Sequence, residues 1–299
     1  MERISDYFNL GCKGHANFAF PDVDLCNDTR LFIDPWLIEQ ANDLWSVNAN
    51  AVLTSFMDRL FVAFRYKTKE RPTLLDHAKE QNATKLGYGN GYNGKGKTPD
   101  GLYASLKGLS ELVQEIPTIS KASDLKVFVQ KFGEDNMSDL ITNILHLQLN
   151  EFTVEELTNW GIVPTDEITF WTWDINTNSW INVNKPSYTY NGKELLLVPK
   201  WIVRRNYLFS VHQFLYTVLI DRMRENEYNG WTKKDIWTNI PRNSDDWEYR
   251  FALDKTVADP TLLTQYHERI PRHYKRSYGS LSDDDLDMII YGKVIHKSA

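Results

Sequence analysis

ITFWTWDINTNSWINVNKPSYTYNGKELLLVPK, residues 168–200, is the stretch that decides the fold class. Ile168 to Asp174 and Trp180 to Asn184 alternate apolar and polar side chains, the period of a half-buried strand. Ile175 to Ser179 between them is turn-like, so the two segments read as a hairpin. Asn191-Gly192 joins SYTY to ELLLVPK, and this dipeptide tolerates the positive φ of a two-residue turn. Leu195 to Val198 is an unbroken apolar run, which predicts a central strand buried on both faces. An antiparallel β-meander over about 166–200 is therefore expected.

Outward from the meander the pattern becomes helical. LFIDPWLI (31–38) reads as a short apolar strand ended by an Asp-Pro turn signal. AVLTSFMDRLFVAFRY (51–66) has apolar residues at helical spacing. Pro99-Asp100 opens a helix expected to reach about Glu115, with proline at a natural first-turn position. Further helices are expected near 123–131 and 136–150, and Thr153-Val154-Glu155-Glu156 reads as a capping box starting a short helix that stops at Gly161. From about 206 onward the chain reads as helical, with helix starts at Thr232 and Ser282. The expected class is α+β: a helical N-terminal half, the central meander and a helical C-terminal part. The expected organisation is a mixed α/β unit over 1–205 and a helical part over 206–299, across a soft boundary without a linker, with a single domain as the alternative.

Composition narrows the function classes. The chain has 299 residues, 42% hydrophobic, 25% charged and 13% aromatic, with 10 Trp. Such a composition supports a packed core and excludes disorder, collagen and low-complexity repeats. Two cysteines are too few for a disulfide scaffold, and no apolar run reaches the 18 or so residues of a membrane span. The N-terminal MERISDYFNLGCKGH lacks an apolar core for secretion, so a cytoplasmic location is expected. A net charge of −6 opposes general coating of nucleic acid. Local basic clusters interleave with aromatics, as in single-strand grooves: Arg65 to Arg71, then Lys200, Arg204 and Arg205, then Arg269 to Arg276.

Three motifs bear on chemistry. Gly91 to Thr98 fits G-x-x-x-x-G-K-[ST], a phosphate-cradling loop in which Lys95 and Lys97 would face phosphate. Its context is wrong for a nucleotide-binding loop: the preceding residues are polar, and Pro99 delays the helix that should follow. In GEDNMSDLITN (133–143), Asp135, Asp139 and Asn143 share one helical face, with Glu134 at the start. Carboxylates so grouped suit a hard cation such as Mg²⁺, although helix capping also favours acids there. Glu194 to Lys200 gives a strand ending in lysine, the position from which nucleases orient water or phosphate. It departs from the restriction-endonuclease-like Asp…Glu-x-Lys pattern, since Val198 replaces the acid and Asn182 and Asn184 stand where an Asp is expected. Arg205 and His212 fit the loose Arg-x(4–6)-His spacing of all-α RNase domains.

LFIDPWLI (31–38), FGEDNMSDLITNIL (132–145) and ELLLVPKWIVR (194–204) resemble segments of little-characterised bacterial proteins found among anti-phage defence and mobile-element genes. The resemblance implies a cytoplasmic effector acting on nucleic acid, and carries over Asp34, Glu134, Asp139, Asn143 and Lys200. The leading expectation is a metal-dependent, nuclease-like hydrolase. In it Asp34, Glu134 and Asp139 hold Mg²⁺, Lys200 orients water or phosphate, and Arg204 and Arg205 grip the backbone. The alternative is a sensor or adaptor that binds a protein or nucleic-acid partner through an aromatic and basic surface, with Trp171, Trp173, Trp180 and Trp201 as its interface. A third is a nucleotide-using enzyme acting through Gly91 to Thr98. No membrane partner is expected.

Overall fold

The computed structural model describes residues 2–79, 82–88, 98–273 and 279–295. A short helix, α1 (Ile4–Tyr7), leads through irregular chain to β1 (Phe32–Ile33). Asp34-Pro35 then starts a helix instead of a turn. Asp34 accepts the Trp36 N–H at 2.9 Å as N-cap, and Pro35 opens α2 (Pro35–Gln40). The long amphipathic α3 (Leu44–Arg65) begins earlier than its apolar stripe, because Asp43 caps it through the Ser46 N–H.

The expected 99–115 helix is two helices, α4 (Pro99–Ser105) and α5 (Leu109–Glu115), parted by a turn at Gly108. They are followed by α6 (Ala122–Phe128), α7 (Glu134–Ile144) and α8 (His146–Asn159). Thr153 does not cap a new helix. It lies inside α8, where its hydroxyl donates to the Leu149 carbonyl at 2.6 Å and accepts the Leu197 N–H at 2.8 Å. Burial of that hydroxyl, with two partners at hand, overrides the capping pattern. Gly161 does end the segment, in a left-handed conformation at φ 78°.

The meander is β2 (Asp166–Asp174), β3 (Ser179–Tyr190) and β4 (Lys193–Leu195), hydrogen-bonded in the order β2-β3-β4. Trp173 lies opposite Trp180, and Tyr188 opposite Leu195. Asn191 and Gly192 take φ of 51° and 72°, the turn their dipeptide favours. The Leu195–Val198 run is not a central strand. β4 is at the edge and ends at Leu195, while Leu196 to Val198 run on, buried, into the helical layer. There the Leu196 N–H donates to the Ala83 carbonyl at 2.9 Å. The partners that cover Leu196 and Leu197 are the turn at Ala83 and α8, not further strands.

β5 (Val203–Arg204) pairs antiparallel with β1, setting Ile33 opposite Val203 and Phe32 opposite Arg204. Helical chain starts at Val211 rather than 206, capped by Ser210. It runs from α9 (Val211–Phe214) through a wide π-type turn, Leu215–Leu219, into α10 (Ile220–Asn226). The chain then forms α11 (Lys233–Asn239), α12 (Trp247–Ala258), α13 (Thr261–His273) and α14 (Asp283–Tyr291). The Thr232 and Ser282 starts are both capping boxes, closed by Asp235 and Asp285. The architecture is α+β, and one buried apolar cluster extends from Ile4 to Leu286. Among the described residues no helix is long and apolar enough to cross a membrane.

Candidate functional site

The β1–β5 pairing carries Arg204 to the start of α2. Asp34 and Arg204 are both buried, with the Arg204 Nε 3.4 Å from the Asp34 Oδ2. Burial pushes the Asp34 carboxyl up to about 6 against the pull of Arg204 and the Trp36 N–H, and the nearby Glu134 adds to the rise. Tyr207, also buried, donates its hydroxyl to the Ile33 carbonyl and, at 3.2 Å, to the Glu134 carbonyl. The phenol is held well above its ordinary range by burial and then by Asp34, Glu134, Asp139 and Tyr88.

Glu134, in the first turn of α7, receives Lys126 at 2.8 Å and the Tyr88 hydroxyl at 2.9 Å on the same oxygen. Burial alone would raise its carboxyl, but Lys126 outweighs that and holds it below the usual range. Burial and this carboxylate together hold the Tyr88 phenol above its ordinary range. Asp34 thus pairs with Arg204, and the charges of Asp34, Glu134 and Asp139 all bear on the buried Tyr207. Lys126, Tyr88 and Tyr207 complete the centre and carry no local sequence signal, since only the tertiary fold brings them there.

Lys200 is elsewhere. Its ammonium donates to the His15 carbonyl at 2.6 Å and to Asp283 Oδ1 at 2.5 Å, which joins the end of the meander to α14. Arg205 is exposed. Lys95 and Lys97, with most of the Gly91–Thr98 motif, lie outside the described residues. Thr98 itself caps α4 by accepting the Gly101 N–H at 3.1 Å. Asn143 supports chain geometry, donating to the Lys79 carbonyl at 2.6 Å. Among the described residues no group of three or more His, Cys, Asp or Glu is arranged to hold a metal ion.

The four tryptophans expected at an interface have different environments. Trp173 is buried, while Trp180 and Trp201 pack on the core and donate to the Leu74 carbonyl and the Ser46 hydroxyl. Only Trp171 is well exposed, at 42%, stacked on His77 at 4.0 Å.

A second aromatic cluster lies in the C-terminal part, where Trp237 and Trp247 are half-buried against the core. Trp237 of α11 and Trp247 of α12 meet edge to face at 5.3 Å, and the Arg242 guanidinium lies 5.4 Å from one ring and 5.0 Å from the other. Tyr216 and His212 extend the rings at 6.0 and 5.1 Å from Trp237. The Lys233 ammonium is 5.2 Å from the Tyr216 ring, and His212 pairs with Glu248 at 3.0 Å. Arg242, His212 and Tyr216 are exposed. WTKKDIWTNIPRNSDDW (231–247) held the signal, in three tryptophans around a Pro-Arg pair.

Compared with known families, residues 9–210 match a model described as a domain of unknown function, DUF8370. No curated protein and no solved structure matches the chain. The Asp34–Tyr207 centre falls within the matched residues, and the aromatic surface from His212 to Trp247 follows them.

Proposed function

The chain belongs to the DUF8370 family, and we propose that it is a recognition module that captures a protein partner through the aromatic and cationic surface of its C-terminal part. The observation that carries this reading is Arg242 lying over Trp237 and Trp247 beside the exposed Tyr216 and His212. Trp, Tyr and Arg supply most of the energy at protein interfaces, because they bury much area at little entropic cost. Charge selects the partner class. Asp235, Asp245, Asp246 and Glu248 alternate here with Lys234, Arg242 and Arg250. Such a mixture suits the polar rim of a protein interface, whereas a phosphate backbone calls for a net positive track. The matched residues then act as the scaffold on which this surface is mounted.

The test is retention of a partner from source-cell extract on immobilised full-length chain, followed by titration of that purified partner. Trp247→Ala and Arg242→Glu should each weaken binding by about tenfold or more, as hot-spot truncations do. Trp171→Ala, on the other aromatic patch, should leave it unchanged. Equal binding by all three variants overturns the reading. Tight oligonucleotide binding lost in the same two variants would replace the protein partner with nucleic acid.

A hydrolytic reading has one observation in its favour, that the charges of Asp34, Glu134 and Asp139 all bear on the buried Tyr207. It is tested by incubating the protein with single- and double-stranded DNA and RNA, with Mg²⁺, Mn²⁺ or EDTA, beside Asp139→Ala. Metal-dependent cutting lost in the variant supports it, and no cutting by folded protein rejects it.

A further inference from the structure

The wide turn at Leu215–Leu219 organises a point of excess positive charge. Turns of this π type interrupt the regular helix ladder and recur at functional sites. Basic side chains from two other helices meet its carbonyls. Arg269 of α13 donates to the Thr217 carbonyl at 3.0 Å, and Lys233, the first residue of α11, donates to the Tyr216 carbonyl at 3.4 Å. The same two cations converge on the buried Asp221 of α10. The Lys233 Nζ lies 2.9 Å from its Oδ1, and the Arg269 Nη2 lies 3.2 Å from its Oδ2. Arg224, one turn on in α10, brings a third cation to 4.0 Å from Oδ1. None of the three pairs with another carboxylate among the described residues, so three cations share one acid and the cluster keeps a net charge of +2. Neighbouring bases are matched one to one, Arg222 with Asp259 at 3.8 Å and Lys255 with Glu227 at 3.1 Å. The cluster is also open to a ligand, since 44%, 36% and 25% of the Arg224, Arg269 and Lys233 side chains are exposed. Carbonyl and carboxylate anchors already fix Arg269 and Lys233, which leaves little side-chain freedom to lose on binding.

We propose that Arg224, Lys233 and Arg269 bind a phosphomonoester dianion. The charges match, since such a group carries about −1.5 to −2 near pH 7 and offers three acceptor oxygens to the donors. A phosphodiester carries a single charge and fits less well, which sets the site apart from a track for nucleic acid. Lys233 also lies 5.2 Å from the exposed Tyr216 ring, so the site adjoins the aromatic cluster. The dianion is either inorganic phosphate or a phosphorylated side chain of the partner. Only the second source rests on the partner reading above.

The test uses the full chain, isothermal titration calorimetry at constant ionic strength and two probes, inorganic phosphate and O-phosphotyrosine, with dimethyl phosphate as the monoanionic control. Saturable one-site binding of both dianions, and much weaker binding of dimethyl phosphate, is expected. Tighter binding of phosphotyrosine than of phosphate assigns a phosphorylated side chain, through contact with Tyr216, and equal binding assigns free phosphate. Arg224→Gln, at the longest of the three contacts, should weaken binding by about tenfold while the melting temperature stays near that of the wild type, since charge-assisted hydrogen bonds are the strong ones. Arg222→Gln, on the same helix but turned to Asp259, should have no effect. Asp221→Asn keeps the shape of the side chain and removes the competing negative charge, so it should tighten binding, whereas a purely structural cluster would lose it. The proposal is overturned if neither dianion binds at millimolar concentration, or if folded Asp221→Asn binds more weakly than the wild type. It is also overturned if Arg224→Gln and Arg222→Gln weaken binding equally, the signature of diffuse counter-ion attraction.

Discussion

Asp287→Ala should release the last helix from the N-terminal segment. Asp287, 1% exposed on α14, accepts the His15 backbone N–H at 2.9 Å, the His15 Nδ1 proton at 2.6 Å and the Ile295 N–H at 2.8 Å. The other imidazole nitrogen, Nε2, accepts the Asp22 N–H at 3.0 Å. A backbone N–H only donates, so His15 is a neutral imidazole with its proton on Nδ1. Asp22 in turn binds the Ser5 and Tyr291 hydroxyls, both at 2.6 Å, which closes the ring between α1 and α14. Alanine removes a buried charged acceptor and strands two His15 donors in a site with no exposure. Each buried donor left without a partner costs about 1–3 kcal/mol, and the three lost bonds share that cost instead of adding in full. The expected loss is about 4 kcal/mol, and less for Asp287→Asn, which keeps a carbonyl oxygen for His15. Urea denaturation reads the global part, and native-state hydrogen exchange over 283–291 reads local detachment of α14. A change under about 1 kcal/mol, with α14 amides still protected, would refute the reasoning.

Three further outcomes follow from the same structure. Asp34 holds its proton to about pH 6, against an ordinary 3.8, so its folded state binds more protons through that window. Its contribution is therefore present at acid pH and lost as pH rises from about 4 to 6, by up to about 3 kcal/mol, and urea midpoints of wild type and Asp34→Asn across that window should diverge in this sense. His15 has the opposite sign: burial depresses its pKa below 6.5 despite Asp287 and Asp22, so stability falls as pH drops below 6.5, and a thermal-melting series that lacks this acid-side loss would contradict the buried neutral imidazole. Thr153→Val strands the Leu197 N–H and should cost about 1–3 kcal/mol by chemical denaturation, whereas Thr232→Ala, which opens an exposed capping box, should cost about 1 kcal/mol.

Local signals translated well into local structure. The Asn191-Gly192 turn, the alternation on both sides of Ile175 to Ser179 and the Thr232 and Ser282 helix starts depend on residues a few positions apart. Errors arose where a distant element changed the meaning of a local pattern. Thr153 fits a capping box, yet Leu197 and Leu149 claim its hydroxyl inside α8. Leu195 to Val198 are buried on all sides, yet helices and loop provide the cover.

The candidate centre divides in the same way. Asp34, Glu134 and Asp139 stand out by residue type and helical spacing alone, because capping and amphipathic periodicity are local properties of the chain. The meeting of Asp34 with Arg204 was decided by two ladder pairs, Ile33 with Val203 and Phe32 with Arg204, which join segments about 170 residues apart in the sequence. That pairing also sent Lys200 to His15 and Asp283 instead of to the acids. By itself the sequence determined the α+β class, the hairpins and most helix starts, since each depends on side-chain period and turn conformation. Which charged groups became partners was left to the tertiary structure, since burial and electrostatic pairing depend on distances that no local pattern encodes.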